Sequence, residues 1–146
     1  EEPLYQNDAR ALADLRRHTN IPISAGQMEG HRWRLRELVE HQAVDILQPN
    51  CCYVGGYTEV RKAAHLAQAY NLRIANGGGW PIFNMHTMAG LMNGWLTEFH
   101  VEMWELGKLL FKGTPGPLGN RVQIPDVAGL GFEPDQEVLR DSSIIQ

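Results

Sequence analysis

The chain has 146 residues, 43% hydrophobic and 21% charged, the balance of one globular domain with enough length for a sizeable core. Thirteen Lys and Arg against 17 Asp and Glu leave a net charge of -4, which argues against a nucleic-acid partner held by bulk positive charge. No apolar run nears the ~20 residues of a membrane helix, and no signal-peptide pattern opens the chain, so no membrane partner is expected.

In chain order, Ala9 to His18 places Ala9, Leu12, Ala13 and Arg16 on one face and reads as a helix, with Asn7 or Asp8 as N-cap. Ile21-Pro22-Ile23-Ser24-Ala25 reads as a short buried strand stopping at Gly26. A second helix is expected around Trp33 to His41, and a second strand over Val44 to Gln48, stopped by Pro49. Gly55-Gly56 opens a third helix, Tyr57 to Tyr70, with Val60, Ala64 and Ala67 as its apolar stripe. Leu72 to Ala75 is a strand broken by Asn76-Gly77-Gly78-Gly79. A fourth helix is expected over Asn84 to Trp95, then a last strand over Phe99-His100-Val101-Glu102. From Gly107 the texture changes to loops, with the tight-turn pair Gly119-Asn120 before a strand Arg121 to Ile124. Fifteen glycines and eight prolines fit a chain of many turns rather than a helical bundle.

The strand ends fall near Glu1, Gly26, Pro49 and Asn76, a rhythm of roughly 25 residues per strand-helix unit, which implies parallel strands joined by crossover helices. A Rossmann-like sheet and an eight-fold barrel both fit. The first unit lacks G-x-G-x-x-G and the glycine run lacks a Walker lysine, which disfavours nucleotide binding. Polar residues gather instead at successive strand ends: Glu1 and Glu2, Gln27 with Glu29, Asn50, and Asn76. A barrel builds its site there. The chain opens on Glu1-Glu2-Pro3 with no strand before the two carboxylates, so an upstream remainder of the same protein is expected. Cys51 and Cys52 are adjacent and cannot staple the fold; a reducing cytoplasm is the expected compartment, with both as small buried residues.

Four stretches together resemble the C-terminal part of the mandelate racemase/muconate-lactonising branch of the enolase superfamily. They are Glu1-Glu2-Pro3, Ile21 to Gly26, Val44 to Asn50 leading to Gly55-Gly56, and Arg121 to Gly131. The resemblance implies an α/β fold that is the second half of a modified TIM-type (β/α) barrel. Residues 1–106 would be that half, and 107–146 an extension returning toward a capping domain that precedes this chain. It also implies a small-molecule carboxylate substrate, a homo-oligomer, and a magnesium ion (Mg2+) held by carboxylates at strand ends. A base would remove the proton next to the substrate carboxylate, while the ion stabilises the charge that develops.

Carried over by position, the resemblance makes Glu1 the second metal ligand. Gln27 stands where the third ligand, a carboxylate, is usual, with Glu29 able to substitute if its loop bends back. The first ligand would lie upstream. Asn50 stands where many relatives carry an aspartate, and the glycine run stands where they carry a histidine, so the acid/base dyad of those relatives is absent. Glu29 and His31 could contact substrate or replace the base, or be solvated loop residues. Asn50 could cap its loop or touch substrate. Glu102 matches a carboxylate that hydrogen-bonds the reacting group in some relatives. His41 and His65 read as structural, His86 as a packing or backbone-bonding residue, and Trp80 as core or pocket lining. The expected function is a magnesium-dependent lyase or isomerase, first an acid-sugar or hydroxy-acid dehydratase. The alternative is a non-catalytic homologue that keeps the fold for binding or assembly.

Overall fold

A computed structural model describes residues 1–141. Its centre is a four-stranded, all-parallel sheet in the order β1 (Ser24–Ala25), β2 (Ile46–Leu47), β3 (Arg73–Asn76) and β4 (Gly94–Thr97). The strands are short: Ser24 pairs with Ile46, Ile46 with Arg73, and Ile74 with Gly94, and the register shifts by one residue before Asn76 pairs with Thr97. The Glu2 N–H donates to Ser24 O at 2.8 Å, which lays the Glu1-Glu2 segment along the free edge of β1.

Helices α1 (Ala9–Arg17), α2 (Arg32–Glu40), α3 (Tyr57–Ala69) and α4 (Pro81–Gly90) alternate with the strands. Asp8 is the N-cap of α1, its Oδ1 accepting from the N–H groups of Arg10 and Ala11. That satisfies two of the donors a helix start leaves open. The apolar stripes meet the sheet in one core that includes Leu12, Leu35, Leu38, Val44, Leu47, Val60 and Ile74, all essentially inaccessible to water.

Two regions depart most from the sequence reading, α4 and the segment after β4. Helix α4 starts at Pro81 rather than Asn84, because proline at the first helical position loses no needed N–H and already has helical φ. It ends at Gly90, so Trp95 lies in β4. The Asn93 amide ties that turn to Ala64 O and Leu72 O at 3.0 and 3.1 Å. The segment expected as a last strand, Phe99 to Glu102, is a helix start: β4 has already ended at Thr97, and α5 covers Val101–Leu110. His100 is its N-cap, Nδ1 accepting the Met103 N–H at 3.4 Å.

Helix α5 runs without a break through residues 106 and 107, the expected boundary of the extension. Beyond it, β5 (Phe111–Lys112) pairs antiparallel with β8 (Glu133–Pro134), and β6 (Pro117–Leu118) with β7 (Arg121–Val122). Phe111 and Phe132 meet Phe83 of α4 edge-to-face at 5.7 and 5.2 Å, and a short α6 (Gln136–Asp141) closes the described chain. Residues 142–146 of the expected extension lie outside the described residues. Among the described residues, no helix is long and apolar enough to cross a membrane.

Candidate active site

Because all four strands are parallel, their carboxyl ends share one rim. Four segments reach it: Glu1-Glu2 beside β1, Gln27 after β1, the Gly77-Gly78-Gly79 run after β3, and Glu98 after β4. Together with Tyr53, His100 and Met103 they line a cavity of about 520 Å³.

The turn out of β1 depends on Gly26, whose φ of +128° disfavours a side chain and whose Cβ would stand 2.8 Å from Leu35 Cδ2. Glu2 then fixes the next residues. Its Oε1 accepts the N–H groups of Gly26 and Gln27, each at 3.2 Å, and the Asn7 amide at 2.8 Å. This Oε1 holds the turn in place, and Glu1, Glu2 and Gln27 all border the cavity.

The glycine run makes room for them. A Cβ on Gly77 would lie 2.8 Å from Gln27 Oε1 and 3.3 Å from Glu1 Oε1, so both oxygens crowd onto one spot that only glycine leaves open. A Cβ on Gly78 would meet Gln27 Oε1 at 3.0 Å and the Tyr53 ring at 3.4 Å. Glu98 faces the same run, its Oε2 accepting the Gly78 N–H at 2.6 Å. Asn76 holds the Glu98 backbone at both ends of its amide, accepting from Glu98 N–H at 3.1 Å and donating to Glu98 O at 3.3 Å. Burial first, then the negative charge of Glu1, pushes the Glu98 carboxyl above the usual range; the Gly78 N–H and His100 offset part of this.

Gln48, at the end of β2, donates to Glu1 Oε1 at 3.3 Å, while its own buried Oε1 has no partner. Three carboxylates (Glu1, Glu2 and Glu98) and the Gln27 amide oxygen make an oxygen-rich concavity short of positive charge. In kind this donor set fits a hard cation such as magnesium, which prefers oxygen ligands. In number it is partial: among the described residues, no group of three or more His, Cys, Asp or Glu side chains is placed to hold a metal ion.

The other residues singled out from the sequence are placed elsewhere. Glu29 is buried but turned away from Gln27, its carboxylate bonded to Arg34 Nε at 3.2 Å and Asn7 Nδ2 at 3.4 Å, beside a separate cavity of about 630 Å³. An ion pair has captured it. His31 is the exposed residue before α2 and lines neither cavity. Asn50 is fully buried beneath the glycine run. Its amide donates to Gly77 O at 2.7 Å and Gly79 O at 3.0 Å, and its Oδ1 accepts from Cys52 N–H and Asn84 Nδ2. Those four bonds use its whole capacity, so it holds the cavity floor and has nothing left for a substrate. Glu102 lies exposed in the first turn of α5, where a carboxylate suits the helix dipole, and not at a strand end. Cys51 is buried, but Cys52 is exposed. His86 bonds the Leu130 carbonyl at 3.0 Å.

Sequence reasoning missed Glu98, Tyr53 and Gln48, while His100, expected to face the interior from a strand, lines the cavity from the start of a helix. A signal existed for two of them: Gln48 is a polar residue closing an apolar strand before Pro49, and Glu98 follows a Trp-Leu-Thr strand. Tyr53 had none, because a turn residue becomes cavity lining only through the tertiary path of its loop.

A family model described as enolase C-terminal domain-like matches residues 1–138. The chain belongs to that family. It is 30% identical over 146 residues to the L-rhamnonate dehydratase of Saccharopolyspora erythraea, covering 94% of this chain and 37% of that protein. Among solved structures, it superposes with a TM-score of 0.83 and 28% identity on the L-talarate dehydratase of Polaromonas sp. JS666, solved with Mg and L-glucarate, covering 95% of this chain and 37% of that one. A mandelate racemase/muconate lactonizing enzyme-like protein from Roseovarius sp. TM1035 gives 0.84 and 28%, with 96% and 36% covered. The chain thus spans little more than a third of each relative. Its fold is the second half of their enolase-type barrel, and acid-sugar dehydratases are among its homologues.

Proposed function

We propose that the protein carrying this chain is a magnesium-dependent lyase that dehydrates an acid sugar, removing the proton next to its carboxylate. The observation that carries this reading is the convergence of Glu1 and Gln27 oxygens over Gly77, opposite Glu98. Dehydratase names among the relatives, and the magnesium and glucarate in the talarate dehydratase structure, support the substrate class.

Glu1 and Gln27 would hold the ion, with a further ligand supplied by the N-terminal remainder. The ion would supply concentrated positive charge, which lowers the cost of the anion formed when a weakly acidic C–H loses its proton. The chain's own residues have separate tasks. Glu98, whose Oε2 is engaged by the Gly78 N–H, would stand on the wall facing the ion with Oε1 left to meet a polar group of the substrate. His100, with Nδ1 accepting the Met103 N–H, carries its hydrogen on Nε2, from where it would donate a hydrogen bond to the departing hydroxyl. The base that takes the carbon-bound proton would come from upstream, because Asn50 and Gly77 offer none.

The test is a panel of aldonic and aldaric acids given to the full-length protein with magnesium, scored by loss of water to a keto-deoxy acid. Glu1→Gln should lower turnover by on the order of 10²–10³-fold, the scale on which a preorganised charge partner counts. Unchanged turnover would remove Glu1 from the site.

One set of observations favours a second reading, a non-catalytic homologue: Gln27, Asn50 and Gly77 are all un-ionisable where relatives that use a histidine-aspartate dyad carry charge. Calorimetry separates the two, since absence of magnesium binding at millimolar concentration supports the binding role.

A further inference from the structure

The turn after β2 carries two adjacent thiols for which the proposed chemistry has no use. Cys51 is buried and Cys52 exposed, and their Sγ atoms are in contact at 4.0 Å. The turn is tied down around them. Cys51 N–H donates to Asn84 Oδ1, Cys52 N–H to Asn50 Oδ1, and Gly56 N–H to Cys51 O, each at 2.9 Å. The thiols are chemically unlike. Contact with Cys51 lowers the Cys52 thiol, while the same contact, reinforced by burial, raises Cys51. Cys52 is therefore the entry point, both more exposed and more readily ionised, with Cys51 directly behind it.

A direct bond between the two sulfurs is poorly suited to this spacing. Consecutive Cα atoms lie about 3.8 Å apart across a trans peptide, short of the roughly 4.4 Å at which relaxed disulfides begin. One extra atom between the sulfurs enlarges the ring and removes the conflict. We propose that Cys51 and Cys52 form a dithiol site that chelates a soft, three-coordinate electrophile, with trivalent arsenicals as the ligand class. With an organoarsenic oxide, two S–H bonds break and two As–S bonds form. The oxide oxygen leaves as water with both protons, and arsenic stays trivalent, so no oxidant is required.

Occupancy reaches the cavity through two neighbours. Asn50 grips Gly77 O and Gly79 O from the same turn, and Tyr53 packs its ring toward Gly78. A ligand between the sulfurs displaces the turn and loosens the glycine run. This inference stands on the thiol geometry alone and does not depend on the reaction assigned above.

The experiment treats the full-length protein with one equivalent of phenylarsine oxide in excess monothiol, followed by mass spectrometry of the peptide containing residues 51 and 52. The expected result is one phenylarsenic group on that peptide, kept in monothiol and stripped by a small dithiol. Cys52→Ser should weaken retention by about a hundredfold, the scale of a lost second attachment. Cys52 is exposed, so this variant keeps the core intact and decides the matter even if Cys51→Ser fails to fold. An adduct absent from this peptide, or one that survives Cys52→Ser unchanged, overturns the proposal. Faster amide deuterium exchange at residues 77–79 on loading is expected; unchanged exchange overturns the coupling to the cavity.

Discussion

Strands β3 and β4 are neighbours in one parallel sheet, yet they meet different environments. Three of the four residues of β3 are buried, and Ile74 is wholly inaccessible, whereas Trp95 and Leu96 in the middle of β4 are 46% and 52% exposed. Both strands have helices against them; β4 has a pairing partner on one side only among the described residues. The difference teaches that the first three units of this half-barrel complete their own core, while the fourth presents a surface shaped for cover by something else. The candidate site spans the two regions, with Glu1 and Gln27 on the finished side and Glu98 on the open one.

The largest expected effect lies on the finished side. Leu35→Ala removes a side chain with no exposed surface and should cost about 2–5 kcal/mol in denaturant unfolding. Leu96→Ala would be nearly neutral if β4 stayed open, within about 0.5 kcal/mol. A barrel whose other half covers β4 predicts a loss of more than about 1 kcal/mol in the full-length protein, near the average for point substitutions. A neutral result would break the half-barrel comparison.

Next in size is Glu2→Gln. Loss of the negative charge weakens its bonds to the Gly26 and Gln27 amides, each a charge-assisted contact of about 1.5–3 kcal/mol if lost outright. Thermal unfolding should fall, and magnesium affinity with it, since Gln27 loses its anchor. Gly77→Ala should lower stability and also reduce magnesium affinity about 10–100-fold, because its Cβ would stand 2.7 Å from Gln27 Cβ and 2.8 Å from Gln27 Oε1. Gly30→Ala, which meets nothing within 4 Å, is the control expected to change neither.

Much of the fold is legible from residues with a single local meaning. Asp8 before an apolar-periodic stretch, Gly26 and Pro49 after short apolar runs, and the glycine run after Ile74 each stop or start an element by their own chemistry. The errors came where a residue's meaning is set at a distance. His100 reads as a strand residue by its Phe and Val neighbours, but its ring serves the Met103 amide. Glu29 reads as a candidate ligand by its place after Gln27, but Arg34 and Asn7 claim it. In the site, Glu1 and Gln27 reach the cavity that the strand rhythm suggested, whereas Asn50 supports it from below and Glu98, not Glu102, closes it.

The smallest expected effect is a pH dependence on α3. Lys62 first, then Arg32, hold the Glu59 carboxyl at about 2 against an ordinary 4.5. A depressed folded-state pKa stabilises the fold above the unfolded value, and that contribution is lost as pH falls through the folded one. Stability should therefore decline between about pH 4.5 and 2, and Arg32→Gln should move that loss to higher pH. An unfolding series across this window with no difference between the two proteins would remove the pair from the account.

The most direct test of the central claim is to locate the cation by anomalous scattering from manganese in crystals of the full-length protein. The convergence of Glu1 and Gln27 over Gly77 predicts one ion bonded to Glu1 and Gln27 oxygens, at about the 2.0–2.2 Å typical of a small hard divalent ion, with Glu98 on the facing wall. An ion bound elsewhere, or none at millimolar manganese, would contradict it.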